Sequence, residues 1–289
     1  MAERRPIIYH DDRKVYTLHE REGVEWLTAD KLDQIPGIRH AIATRFGGVS
    51  EGMYASLNFS VSQGDDPAKV RENFIRFGRA VGIPAEEMVI TQQTHTTNLR
   101  YCAEPDLGKG ILRDRDYSDI DGLYTDREHV ALVISFADCV PVFLADPVRH
   151  VIAAVHSGWR GTVGRISAKM VSLMHDRFGS DPADIIALIG PSICADCYEV
   201  DQPVVDRFKE VYAEEEMPLI FSQTEEQRGG DHYQLDLWQA NLINLETAGL
   251  KRENIEVTNL CTCCNPSWIF SHRATGGKRG VTVGVIEMI

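Results

Sequence analysis

Apolar residues fall in short runs broken by turn signals along most of the chain. Ala131–Phe136, Val140–Ala145 and Val151–Val155 are apolar at nearly every position, which is the pattern of buried strands. Asp146-Pro147 marks a turn between the second and third runs. If that turn is centred between Pro147 and Val148, antiparallel pairing sets Ala145 opposite His150 and Cys139 opposite His156. Met88–Gln93, Ile185–Ile189, Ile255–Leu260 and Val281–Ile286 read as further strands. Asp66-Pro67 has the form of an N-cap followed by proline, opening a helix to about Ala80. A second helix is expected from Val163 to Phe178, closed by Gly179. Helical spacing returns at Pro203–Ala213 and at Leu235–Ala248, the latter with Gly249 just past its end. The acidic run EVYAEEEMP reads as a solvated helix end. Strands mixed with helices predict a mixed α/β (α+β) fold, a layered sandwich of mixed β-sheets covered by helices. No linker, repeat or charge block divides the chain. A single compact domain over residues 1–289 is expected, with residues 1–35 as an N-terminal extension packed on a 36–289 core.

Composition removes several classes of function. A chain of 289 residues, 43% hydrophobic and 25% charged, can bury a large core and does not have the make-up of a disordered protein. The net charge of −13 repels polyanions, and no basic stripe offsets it, so nucleic acid is not an expected partner. A small anion is still admissible, because one or two arginines and a helix N-terminus suffice to bind it. The N-terminal MAERRPIIYHDD lacks an apolar signal-peptide core, and no apolar run approaches the ~18 residues of a membrane span. A cytoplasmic protein without membrane contact is expected. Seven cysteines then suggest reduced thiols or metal ligands rather than a disulfide framework.

The chemistry centres on Cys139 and His156. Residues opposed on one face of a hairpin have Cβ atoms roughly 4.5–5.5 Å apart, so a thiolate and an imidazole there can share one zinc at about 2.3 and 2.0 Å. His95 follows another strand and is a third candidate, although no pairing derived from the sequence fixes its place. Two His and one Cys form a catalytic zinc set, since three protein ligands leave a position for water. HSGWRGT resembles an anion cradle in which Arg160 adds a forked cation; Arg45 in TRFGGVS and Arg273 in SHRATGG are similar candidates for phosphate. Asp138 alternates with Cys139 and is expected to point away from the metal, in a supporting role. Cys194-x-x-Cys197 and Cys261-x-Cys263-Cys264 raise the rival of a four-thiolate structural zinc, but the gap between the pairs is far longer than the ~15–20 residues of a compact ribbon. A redox CxxC, or small thiols packed against strand ends, is the preferred reading of these cysteines. Three other functions compete. One is a metal-free hydrolase with Cys139 as nucleophile and His156 as base. Another is a copper-dependent phenol oxidase, poorly supported because none of the ten histidines forms a His-x-His pair, although copper can occupy such a site in vitro. The third is a non-catalytic binding protein.

The segments TRFGGVS (44–50), SLNFS (56–60), QQTH (92–95), DIDGLYTD (119–126), ADCVPVFLAD (137–146), AAVHSGWRG (153–161), IGPSICADCYEV (189–200) and NPSWIFSHRATGGKRG (265–280) together resemble the YfiH/YlmD-type purine nucleoside phosphorylases, proteins long labelled laccase-domain or polyphenol oxidases. The resemblance runs from about Ile38 to the C-terminus. It implies a compact layered α/β fold and a zinc held by His95, Cys139 and His156. It also implies phosphorolysis of adenosine, inosine, guanosine and S-methyl-5′-thioadenosine with adenosine deamination as a side activity. Purine nucleoside and inorganic phosphate are then the expected partners, handled by a monomer or weak homodimer. Thr96, the Ala137-Asp138-Cys139 triplet and the HRATGGKRG tail depart from the usual pattern and bear on substrate preference rather than on the metal.

Overall fold

The computed structural model describes residues 6–227 and 229–289. Among them, two six-stranded mixed sheets lie face to face with helices on both outer sides. The first sheet runs, edge to edge, Tyr16–Arg21, Val24–Ala29, Ile38–Ala43, Thr282–Met288, Ala131–Phe136 and Met88–Ile90. The second runs Ile255–Val257, Ile186–Ile189, Val140–Asp146, Val151–Ser157, Gly122–Thr125 and Leu99–Tyr101. A small antiparallel sheet of Glu199–Asp201, His232–Leu235 and Phe221–Ser222 sits apart from these. Of the segment read as an N-terminal extension, residues 16–29 contribute two strands to the edge of the first sheet.

The period-two geometry of strands explains why the central runs are apolar throughout. Leu132, Ile134 and Phe136 face the space between the sheets, where they meet Phe143, Ala145, Ile152 and Ala154 of the second sheet. Their neighbours Ala131 and Val133 face outward onto the helix Pro67–Val81, through Phe74 and Phe77. Val142, Leu144, Val151 and Val155 face the opposite outer layer, formed by the helices Ile166–Phe178 and Leu237–Thr247. Both sides of each central strand are therefore covered. At Gly284 the sheets approach so closely that a Cβ would lie 2.5 Å from Phe143 Cζ, so the Phe143 ring fills the space an alanine methyl would need. Crowding of that kind costs ~1–3 kcal/mol.

Local signals set most element ends. Asp66 caps Pro67–Val81 by accepting a hydrogen bond from the Ala68 amide, and Gly82 ends it in the left-handed conformation. The segment expected to form one helix from Val163 instead forms two, Trp159–Val163 and Ile166–Phe178. The chain breaks at Gly164-Arg165, where Arg165 has φ +52°. The Leu235 start expected for the last long helix falls in a strand, and the helix begins at Leu237 behind an Asp236 cap. The central hairpin also departs from the sequence reading. Asp146 pairs with Val151, its carboxylate accepting the amides of Val148 and Arg149, so the turn centres one residue later than Pro147-Val148. Pro141, rather than Cys139, stands opposite His156. A two-residue slip preserves the face, so Cys139 and His156 remain diagonal neighbours on the inter-sheet side.

No described helix is long and apolar enough to cross a membrane.

Candidate metal centre and its cleft

Four loops meet at one end of the two sheets. His95 lies in the loop after Met88–Ile90, Asp121 just before Gly122–Thr125, Cys139 just before Val140–Asp146, and His156 near the end of Val151–Ser157. The ligand atoms of His95, Cys139 and His156 all lie within 4.8 Å of one another. His95 Nε2 is 3.9 Å from Cys139 Sγ, and the two imidazoles meet edge to face with centroids 5.0 Å apart. His95 is exposed, Cys139 half-buried and His156 buried, so the cluster opens to solvent on the His95 side. Gly158 makes this close approach possible, because a Cβ there would sit 3.0 Å from both Cys139 Sγ and His95 Cδ2. The glycine of HSGWRG thus leaves room for two candidate ligands.

Asp121 organises the cluster. One carboxylate oxygen accepts the His95 amide at 3.0 Å and His156 Nδ1 at 2.9 Å. The other accepts the Thr94 amide, the Thr96 amide and the Thr96 hydroxyl at 2.9–3.2 Å. These contacts hold the backbone at His95, whose φ is +65°, a conformation that non-glycine residues adopt only with support. An ionised carboxylate can only accept, so His156 Nδ1 carries the proton and Nε2 is left as the ligand. Asp121 is a residue to which the sequence pattern alone gives no role. Its sequence signal is its place in the DIDGLYTD segment, between Ile120 and a strand-opening Gly122.

Charges at the centre are mutually supporting. Burial pushes Asp121 up, but hydrogen bonds from His156 and the Thr96 amide bring it down to about 2. Burial opposes charge on Cys139 as well, yet the adjoining imidazoles of His156 and His95 hold the thiol down to about 6. Burial lowers His156, while Cys139 and Asp121 outweigh it and raise the imidazole to about 9. A thiolate is therefore available near neutral pH, as metal binding requires.

A cleft of about 600 Å3 runs from this cluster past the helix Pro67–Val81. Phe59, Val70, Phe74 and Ile90 supply apolar wall, and Arg71, Arg113, Arg115 and Arg279 supply cations. Arg279 is unusual among these, because its Nε is buried with no hydrogen-bond partner among the described residues. Burial pulls its pKa down against the opposing charges of Asp138 and Cys139. Arg71 is exposed and makes no hydrogen bond or ion pair among the described residues.

The arginines picked out from glycine-rich motifs are placed differently, and none lines this cleft. Arg45 donates from Nε and Nη2 to the Ala55 carbonyl and from Nη1 to that of Pro266, with its guanidinium over the Phe270 ring. It ties loops together instead of facing the cleft. Arg273 donates to the carbonyls of Cys197 and Glu199. Arg160 is exposed and stacks on Trp159. Arg160 and Arg273 both lie within electrostatic reach of Tyr198, which also feels Cys139, so they flank the centre on another side. Asp138 has φ +89°, and its carboxylate accepts the Thr262 hydroxyl and the Arg273 amide, each at 2.6 Å.

Residues 39–289 match the family described as multi-copper polyphenol oxidoreductase laccase, and the chain belongs to that family. It is 37% identical over 249 residues to purine nucleoside phosphorylase YlmD of Bacillus subtilis, covering 85% of this chain and 86% of the relative. It is 30% identical over 257 residues to adenosine deaminase RL5 of an unknown prokaryotic organism, covering 88% and 96%. The crystal structure of Bacillus licheniformis hypothetical protein YfiH superposes with a TM-score of 0.86 at 34% identity, over 94% of this chain and 99% of that one.

Proposed function

We propose that the cleft is the active site of a zinc-dependent purine nucleoside phosphorylase that accepts adenosine, inosine, guanosine and S-methyl-5′-thioadenosine and deaminates adenosine as a side activity. The observation that carries this reading is the convergence of His95, Cys139 and His156 on one open cleft, in a chain whose relatives include proteins named for both activities. One thiolate and two imidazole nitrogens fit zinc, and with three protein ligands the side towards His95 stays open. When bound there, zinc supplies Lewis acidity at the end of the cleft. Asp121 keeps the His156 proton on Nδ1 and fixes the ring, the usual arrangement behind a metal-ligating imidazole.

Phosphorolysis needs an anion held against C1′ of the ribose while the C1′–N9 bond breaks and the purine departs with its electron pair. Arg279, which lines the cleft within electrostatic reach of Cys139, is the proposed phosphate ligand, and exposed Arg71 is the second cation of the cleft. Arg160 and Arg273 are assigned to the flank around Tyr198, and Arg45 to holding the loops. Phe59, Val70 and Phe74 back the apolar wall of the cleft on the side assigned to the purine. In the deaminase reaction water adds at C6 and the amino group leaves as ammonia. The family's description names an oxidase with several coppers, but among the described residues each potential metal cluster contains at most two histidines.

The test is base release from inosine and adenosine with and without phosphate, on protein of known zinc content. Phosphate-dependent release of hypoxanthine or adenine that disappears with the metal in Cys139→Ala is the expected result. Release that ignores phosphate, or that survives chelation, overturns the reading, and chelator-resistant hydrolysis points to Cys139 acting as a nucleophile.

A further inference from the structure

A second group of soft ligands lies away from the cleft, where the N-terminal segment crosses the molecule. Cys194, Cys261 and Cys264 come together with His10, and the four ligand atoms all lie within 4.8 Å of one another. Cys197 Sγ is 3.5 Å from Cys264 Sγ, so a further thiol adjoins the group. We propose that His10, Cys194, Cys261 and Cys264 form a structural zinc site that fastens the N-terminal segment to the body of the protein. The proposed function neither uses nor requires this site.

Three features distinguish it from cysteines that merely pack as small hydrophobes. Cys261 Sγ accepts two backbone amides, from Cys194 at 3.3 Å and from Cys264 at 3.4 Å. A sulfur that receives two N–H donors is placed as an anion, and the Cys264 amide bonding back to Cys261 makes Cys261-x-x-Cys264 a closed knuckle with both sulfurs on one side. Next, four donors within 4.8 Å of one another are close enough to share one ion, since thiolates bound at about 2.3 Å around a tetrahedral centre stand roughly 3.8 Å apart. The third feature is that every ligand is held independently of any ion. Cys261 pairs with Ser192 in an isolated parallel bridge, and the Thr262 amide donates to the Ser192 carbonyl, which brings the Cys194 loop alongside. His10 is anchored by its amide on the Asn259 carbonyl, by the Tyr9 bridge to Leu260, and by its ring edge to face with Trp238 at 5.3 Å. Four protein ligands close the shell and leave no position for substrate or water, so the site is structural.

The site also adjoins the catalytic loop. Thr262, inside the knuckle, donates to Asp138, and Asp138 precedes Cys139. Fixing the knuckle therefore braces the loop that carries one cleft ligand. Binding replaces the protons of those thiols that are not already ionised, and these protons pass to solvent.

The experiment counts zinc by mass spectrometry in reduced full-length protein reconstituted with zinc alone. We expect two zinc ions per wild-type chain, one in Cys139→Ser, and one in a Cys261→Ser, Cys264→Ser double variant. In the Cys139→Ser background, cobalt in place of zinc should give thiolate-to-cobalt charge-transfer absorption, and adding His10→Ala should shift the ligand-field bands. His10 is exposed, so this variant keeps the test decisive even if the double cysteine variant fails to fold. A single zinc that vanishes with Cys139→Ser, no charge-transfer absorption in that background, or a Cys197–Cys264 disulfide persisting in the reduced protein overturns the second site and leaves the proposed function standing. Retention of one zinc in Cys139→Ser with no phosphorolysis in the wild type does the reverse.

Discussion

Replacing Asp121 by asparagine tests the organisation of the cleft centre most sharply, because the change is nearly isosteric and the carboxylate accepts five hydrogen bonds. An amide group cannot satisfy all five. With the new NH2 at the oxygen facing Thr94 and Thr96, it points at two backbone amides that lose their acceptor at a half-buried site. Each loss costs ~1–3 kcal/mol, so roughly 2–6 kcal/mol in all. With the NH2 turned the other way, the His95 amide loses its acceptor and His156 must accept at Nδ1. Its proton then moves to Nε2, the nitrogen left for the metal. Either way the ligand set is disordered or blocked, and a change of this kind behind a metal ligand costs about 10–100-fold in affinity. Zinc affinity measured by competition with a chromophoric chelator, together with thermal unfolding of the metal-free protein, reads both effects. A loss of about 3 kcal/mol corresponds to roughly 6–12 °C in a domain of this size. An Asp121→Asn protein that binds zinc within about threefold of wild type and melts within about 1 °C of it would refute the argument.

Three further outcomes follow from the same geometry. Arg279→Lys should raise the phosphate KM for inosine phosphorolysis by ~10–100-fold, the loss of a charge-assisted hydrogen bond, with kcat less affected; an unchanged phosphate KM removes Arg279 from the anion site. In metal-free protein, alkylation of Cys139 followed by peptide mapping should show a midpoint near pH 6, because the neighbouring imidazoles hold the thiol there; a midpoint near that of an ordinary thiol contradicts the charge balance derived for the centre. Glu287 is fully buried with neither carboxylate oxygen partnered among the described residues, and burial with nearby Glu87 pushes it up to about 8. The folded state holds its proton more tightly than the unfolded chain, so stability falls as pH rises from about 4.5 to 8 and is level above that. Glu287→Gln should therefore stabilise the protein by on the order of 2 kcal/mol at pH 8 and by almost nothing at pH 4.5, and denaturant titrations that show an equal gain at both pH values would contradict this sign.

Sequence patterns located most elements because their signals are local. Asp66-Pro67 and Gly179 state helix ends within a few residues, and the double-sided apolar runs mark strands that are covered on both faces. The hairpin register was missed because proline at 147 drew the turn centre towards itself, whereas the Asp146 side chain builds the turn one residue further on. Cys139 and His156 were still brought to one face, because strand periodicity forgives an error of two. His95 was reached through the family resemblance and not through pairing, since its place depends on Asp121, a contact across 26 positions. The cysteine clusters were judged too far apart in sequence to share an ion. The Ser192–Cys261 bridge removes that separation in space. Glycine-flanked arginines were equally misleading at Arg45, because loop carbonyls attract a guanidinium as readily as a phosphate does.

The strand Thr282–Met288 lies between Ile38–Ala43 and Ala131–Phe136 in the first sheet. During synthesis both neighbours leave the ribosome well before it, Ala131–Phe136 by about 150 residues, which is roughly 7–30 s of translation at ~5–20 residues per second. For that interval two strands present facing, unpaired edges to solvent or to a chaperone. The half-finished chain is therefore the species most exposed to aggregation, and expression should depend more on chaperone supply and translation speed than the stability of the finished sandwich suggests.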